Sequence, residues 1–350
     1  MVLYKKWILR LWFGTICLMF IVALLNYLFD PYWCFSHTNI FTRKQKGFDE
    51  RQQKTNRITF QSKKYDALLI GDSMVSFINQ NDFADLKVYN YGLSGGSIKE
   101  YGDYIEYAKK KNGSDFRFIF LGISLLNDFT EFQETIHSPS FYIAECNSFL
   151  YRYRLLFRGY TLKQSIKNLR LLFGDMGDDY YDRNNVRFFR HLSKSESESI
   201  FRLVLSDPLK YDRTNRREFI NALRNIKLNN PQTKIIAFIP PKSHLLFRER
   251  YVKAMGLNHY AKLLEDCLSI LDSLYTFMYP NSITLNVDNF YDLGHFYPNV
   301  GKLIAHRLVG IEDQRMPADF GRLLVKKNVQ DHLVYLEKQL QDLRVSFPFK

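Results

Sequence analysis

The sequence predicts an α/β fold, a five-stranded parallel sheet with helices on both faces, preceded by one transmembrane helix. Two observations carry this. Short apolar runs that stop at Gly or Pro alternate with longer stretches of helical spacing. Residues 11–29 hold no charge and are rich in Leu, Ile and Phe, about the length that crosses hydrocarbon.

Lys5, Lys6 and Arg10 precede that span and Asp30 follows it. The positive-inside rule then puts the amino terminus in the cytoplasm and the remainder beyond the cell inner membrane, periplasmic or extracellular, as a single-pass protein. Arg43, Lys44 and Lys46 weaken the bias. The run is long for a cleaved leader and no small-x-small site follows it, so residues 1–30 read as an uncleaved signal anchor. Residues 31–64 are polar and basic without a clear period and read as a juxtamembrane linker.

The domain then occupies residues 65–350. Asp66-Ala67-Leu68-Leu69-Ile70 reads as a buried strand entering the turn Gly71-Asp72-Ser73. Val88-Tyr89-Asn90-Tyr91 ending at Gly92 is a second strand, and residues 98–110 have helical spacing with Ser97 as cap. Residues 116–123, 234–239 and 283–287 are expected as the third, fourth and fifth strands, the fourth stopped by Pro240-Pro241. A helix is expected over 300–308 and an amphipathic one over 329–343. A largely helical insertion at about 128–230, with a helix over 216–228, reads as a lid or platform.

A net charge of +13 admits anionic lipid or an acidic polymer as a partner; without zinc-finger spacing, an aromatic RNA-binding strand or a basic recognition helix, no nucleic acid is expected. The 30 Phe and 23 Tyr fit wide apolar surfaces or glycan-facing grooves, and equally a nucleotide bias. Cys17 lies in the apolar span, leaving Cys34, Cys146 and Cys267 with at most one bridge among them. The histidines are scattered, so neither a metal nor another cofactor is expected.

In open parallel sheets, ligands bind at the carboxyl ends of strands. Ser73 follows the first strand, Gly92 ends the second, Asn127 follows the third and His295 follows the fifth. A serine hydroxyl needs a base, and His295 supplies one, with Asp292 three residues earlier to hold the other ring nitrogen. Backbone N–H groups of Ser73 and Gly92, with the Asn127 amide, are the expected oxyanion donors. His244 reads as structural, and Tyr151 to Arg154 as a helix face.

Leu69-Ile70-Gly71-Asp72-Ser73, Asn90-Tyr91-Gly92-Leu93-Ser94-Gly95-Gly96 and Asp292-Leu293-Gly294-His295-Phe296 resemble three blocks of the SGNH/GDSL hydrolase superfamily. The resemblance implies a three-layer α/β/α fold with Ser73 as nucleophile, His295 as base and Asp292 as its partner. The third block departs from the family's Gly-x-Asn-Asp, reading Gly122-Ile123-Ser124-Leu125-Leu126-Asn127-Asp128. Strict alignment puts Ser124 at the asparagine position. With the anchor, Ile239-Pro240-Pro241 near His244, and Asp319-Phe320-Gly321, the chain looks like membrane-anchored SGNH-like proteins of bacterial envelopes. Such relatives imply a serine esterase or O-acyltransferase working on an acylated cell-surface polysaccharide, with a multi-span membrane partner delivering acyl groups in the transfer case. A non-catalytic assembly or glycan-binding protein on the same scaffold is the other expectation.

Overall fold

A computed structural model describes residues 2–35, 43–125, 137–174, 179–206 and 216–342. The chain forms two units, Met1–Lys63 with His137–Asn185, and Lys64–Ile136 with Val186–Lys350. Residues 128–230 therefore contribute to both.

The first unit begins with the helix Val2–Phe29, whose Tyr4–Phe29 portion is long and apolar enough to cross a membrane. Asp30 ends it by accepting from the backbone N–H groups of Cys34 (2.8 Å) and Phe35 (2.9 Å). Further on, the polar stretch after this helix is itself helical over Glu50–Phe60, capped by Asp49, whose carboxylate accepts from Gln52 N–H at 3.1 Å. No apolar stripe announces this helix because its buried side chains are polar. Gln53 donates to the Pro31 carbonyl and Asn56 to that of Tyr32, each at 2.8 Å. Strand Lys44–Gln45 pairs antiparallel with Asp179–Asp182. Helices Pro139–Asn147, Tyr151–Leu155 and Gly159–Arg170 complete the unit.

The second unit holds the sheet. Its strands are β1 (Ala67–Gly71), β2 (Val88–Gly92), β3 (Phe118–Gly122), β4 (Lys234–Ile239), β5 (Leu274–Thr276) and β6 (Arg322–Leu324). They lie in the order β2-β1-β3-β4-β5-β6, the first five parallel and β6 antiparallel to β5. β1 and β2 are buried along their whole length, which is why they read as unbroken apolar runs rather than alternating ones. Ala67, Leu69, Phe120 and Phe238 pack one face against Val300 and Ile304 of helix Pro298–Val309. On the opposite face, the Tyr91 ring meets Tyr104 of helix Ile98–Asn112 at 4.9 Å. That helix starts where expected: the Ser97 hydroxyl and the Glu100 carboxylate form a reciprocal capping box.

Two corrections concern the sheet. It has a sixth, antiparallel strand, so it is mostly rather than wholly parallel. Residues 283–287, expected as the fifth strand, form turns; β5 lies earlier, at Leu274–Thr276. Asn281 explains this. Its amide donates to the carbonyls of Phe277 (3.2 Å) and Tyr279 (2.8 Å), while its oxygen accepts from the N–H groups of Ile283 (3.0 Å) and Thr284 (3.1 Å). A side chain that satisfies this much backbone removes the need for a ladder.

Candidate active site

β1 and β3 are neighbours in the sheet, and the chain reverses direction of travel across them, which makes the carboxyl end of β1 the topological switch point. Ser73 stands there, on a turn clamped at both ends. The Asp72 carboxylate accepts from Met74 N–H at 3.0 Å, and the Ser73 carbonyl accepts from the Ser76 hydroxyl at 2.6 Å. The turn is pressed onto the strand ends. A Cβ on Gly71 or Gly122 would stand 2.3 Å or 2.4 Å from Val75 Cγ2, and one on Gly92 would meet the Ser76 nitrogen at 2.6 Å. Only residues without side chains allow so close an approach.

His295 arrives from the loop before helix Pro298–Val309. That loop is closed by Tyr291 N–H donating to the His295 carbonyl at 2.7 Å, and by Asp292 Oδ1 accepting from the N–H groups of Gly294 (3.0 Å) and His295 (2.6 Å). Leu293 adopts a left-handed backbone with φ of 65°. For a branched residue this costs on the order of 1–3 kcal/mol. It is held because the Leu293 side chain is buried with Phe201, Leu245 and Leu246, and its carbonyl accepts from Ser243 N–H at 2.9 Å.

The three expected residues meet. Ser73 Oγ lies 2.7 Å from His295 Nε2, and His295 Nδ1 lies 2.8 Å from Asp292 Oδ2. A carboxylate cannot donate, so Nδ1 carries the ring proton and Nε2 is left to accept from the serine. The Phe77 ring packs against the imidazole with centroids 5.4 Å apart, fixing its plane. Burial alone would raise the Asp292 carboxyl. The attraction and hydrogen bonds of His295, with the nearby Lys242 ammonium, outweigh it and hold Asp292 well below the usual carboxylate range.

The comparisons with known proteins are spare. No family model matches the sequence, and no curated protein does. Among the solved structures similar to it is one described provisionally as a platelet activating factor from Streptococcus pneumonia, over 75% of this chain and 89% of that one, with 13% identity and a TM-score of 0.37.

The oxyanion side differs from expectation. The Gly92 N–H donates to Asn90 Oδ1 at 2.8 Å, so that donor is already engaged. Its position matters sterically, as the seat for Ser76. The Ser73 N–H has no hydrogen-bond partner among the described residues. Asn127 lies outside the described residues. Ser124, the position that strict alignment substitutes for it, is buried, and its hydroxyl has no partner among the described residues.

Two residues escape sequence reasoning. Asn90 is buried in β2, and its amide donates to the carbonyls of Val75 (3.0 Å) and Ile78 (2.8 Å), tying the strand to the turn that carries Ser73. Lys242 follows Pro240-Pro241 at the end of β4 and is 6% exposed. Its Nζ would be 3.5 Å from a Cβ on Gly294, which puts it beneath the His295 loop, where Asp72 and Asp292 attract it. Burial pushes the ammonium below its ordinary value against that attraction. The one sequence signal was the double proline, which stiffens the chain as it leaves a strand end. His244 instead serves the backbone: its Nδ1 lies 3.2 Å from the Thr284 carbonyl. Among the described residues, no group of three or more His, Cys, Asp or Glu could hold a metal ion.

Proposed function

We propose that the chain is a membrane-anchored serine esterase or O-acyltransferase of SGNH type, acting on the acyl groups of a cell-surface or extracellular polysaccharide. The observation that carries this is the continuous relay from Ser73 through His295 to Asp292, with contacts of 2.7 and 2.8 Å. Ser73 Oγ attacks the acyl carbonyl as its proton passes to His295 Nε2, and Asp292 stabilises the resulting imidazolium. The Ser73 N–H donates to the oxyanion, with the Ser124 hydroxyl as a second candidate. As the intermediate collapses, His295 returns the proton to the departing sugar oxygen, leaving an acyl-Ser73. Water or a second sugar hydroxyl, deprotonated by the same imidazole, then resolves it. The two outcomes share every residue named.

The domain faces the periplasmic or extracellular side in this reading, because Lys5, Lys6 and Arg10 precede the apolar span. Acyl-CoA is not expected there, so transfer would call on a multi-span partner to hand over acyl groups. The engaged Gly92 N–H favours one competing reading, a non-catalytic glycan-binding or assembly protein on the same scaffold. Turnover of a generic acetyl ester separates them. Hydrolysis by the wild type that is lost in Ser73→Ala supports the enzyme. Equal rates in both, or none in the folded wild type, would overturn it.

A further inference from the structure

The unit made of Met1–Lys63 and His137–Asn185 buries rows of polar side chains beside its apolar cluster of Cys34, Tyr151 and Leu155. Helix Glu50–Phe60 buries Gln52, Gln53, Lys54 and Asn56, and helix Gly159–Arg170 buries Thr161, Gln164, Ser165 and Asn168. Large apolar side chains stand outward as well: Phe149 is 83% exposed, Phe157 54%, Tyr160 54%, Ile166 43% and Phe173 82%, and Arg154, Arg158, Lys163 and Lys167 of the same stretch are exposed too. In water, an amphipathic helix turns its apolar stripe inward. Large apolar side chains left exposed within one short stretch of chain, 149–173, point to a non-aqueous occupant.

This surface begins where the apolar helix ends. Asn26, in the last turn of Val2–Phe29, donates to the Leu156 carbonyl and accepts from the Ser165 hydroxyl, each at 2.8 Å. Tyr32 meets Phe48 at 5.1 Å, and Phe48 meets Tyr160 at 6.1 Å. At 1.5 Å per residue the uncharged residues 11–29 span about 29 Å, matching the roughly 30 Å of hydrocarbon, so Phe29 and the turn after it come to the bilayer boundary. Residues 137–174 carry six Lys and Arg against the single acid Glu145. Aromatic rings interleaved with bases at that depth match the acyl boundary and its anionic headgroups.

We propose that this unit is a membrane-interface collar, lying on the bilayer that Val2–Phe29 crosses and contacting its anionic phospholipid. The inference rests on the anchor reading and adds a second, surface-lying contact that the helix alone does not supply.

Nitroxide labels on single cysteines test it in the full chain, reconstituted in phosphatidylcholine–phosphatidylglycerol vesicles. Cys17 is replaced by Ser; Cys34, Cys146 and Cys267 are buried free thiols. Labels at Phe149→Cys, Ile166→Cys and Phe173→Cys should be relaxed more by oxygen than by a water-soluble nickel chelate. Labels at Leu203→Cys and Leu228→Cys, exposed on the other unit, should show the reverse order. A label at Leu18→Cys reports the anchor itself. If it is in lipid while the three collar labels follow the aqueous order, the collar is refuted and the anchor stands. If Leu18 is aqueous too, both fall. In purely zwitterionic vesicles the collar labels should move toward the aqueous order; no movement would overturn the headgroup contact.

Discussion

Ser73 Oγ and His295 Nε2 lie 2.7 Å apart although 222 residues separate them in the chain. The parallel sheet makes that meeting, because it gathers the turn after β1 and the loop before helix Pro298–Val309 at one edge. On this geometry His295→Gln keeps the fold and removes the base. Ester turnover should fall by about 10²–10⁴-fold with the melting temperature little changed. An activity loss matched by unfolding would contradict the assignment.

Asp292 bears on pH. Its carboxyl is depressed, so the stability it contributes is fully present above the ordinary carboxylate value near 3.9 and is lost as pH falls through the lower folded value. Between pH 5 and 8 it stays ionised. Asp292→Asn should cut turnover by about 10²–10⁴-fold and flatten the loss of melting temperature below about pH 4. Thermal unfolding from pH 3 to 6 on both proteins checks this.

Lys242 should act as a positioning residue. Its ammonium favours the charged Asp292, so Lys242→Met should bring that carboxyl back toward its ordinary value and shrink the stability lost in acid. It also leaves Asp72 and Asp292 with less compensation, at a cost on the order of 3 kcal/mol. Lys242→Arg should restore the acid loss in part. A purely structural lysine would lower the stability of Lys242→Met equally at every pH.

Gly92→Ala places a Cβ 2.6 Å from a backbone nitrogen, which has no flexible end to yield. The Ser76 turn must lift, displacing Ser73 from His295. Destabilisation of about 1–3 kcal/mol is expected. Turnover should fall by at least ~10²-fold, since misplacing a reacting group by about 1 Å can cost that much. Denaturant unfolding beside steady-state kinetics measures both; full activity would show that the turn has room to spare.

Much of the fold was legible where burial and punctuation coincide. β4 runs over Lys234–Ile239 as the pattern predicts, because an apolar run meets Pro240, and Ser97 with Glu100 marks its helix. The site was legible in Ser73, His295 and Asp292 because chemistry restricts those residue types. What was not legible follows from side chains bonding to distant backbone. Asn281 turned an apparent strand into a turn, and Asn90 occupied the Gly92 N–H. Helix Glu50–Phe60 was hidden because a polar interior leaves no apolar period. Lys242 was passed over because a lysine after a strand reads as solvated, whereas here it is 6% exposed.

Fluorophosphonate labelling followed by peptide mass spectrometry tests the central claim most directly, since the probe phosphonylates only an activated serine. Labelling of the reconstituted wild type should map to Ser73, disappear in Ser73→Ala and weaken strongly in His295→Gln. Folded wild type that stays unlabelled, or a label on another residue that persists in Ser73→Ala, would contradict a nucleophilic Ser73.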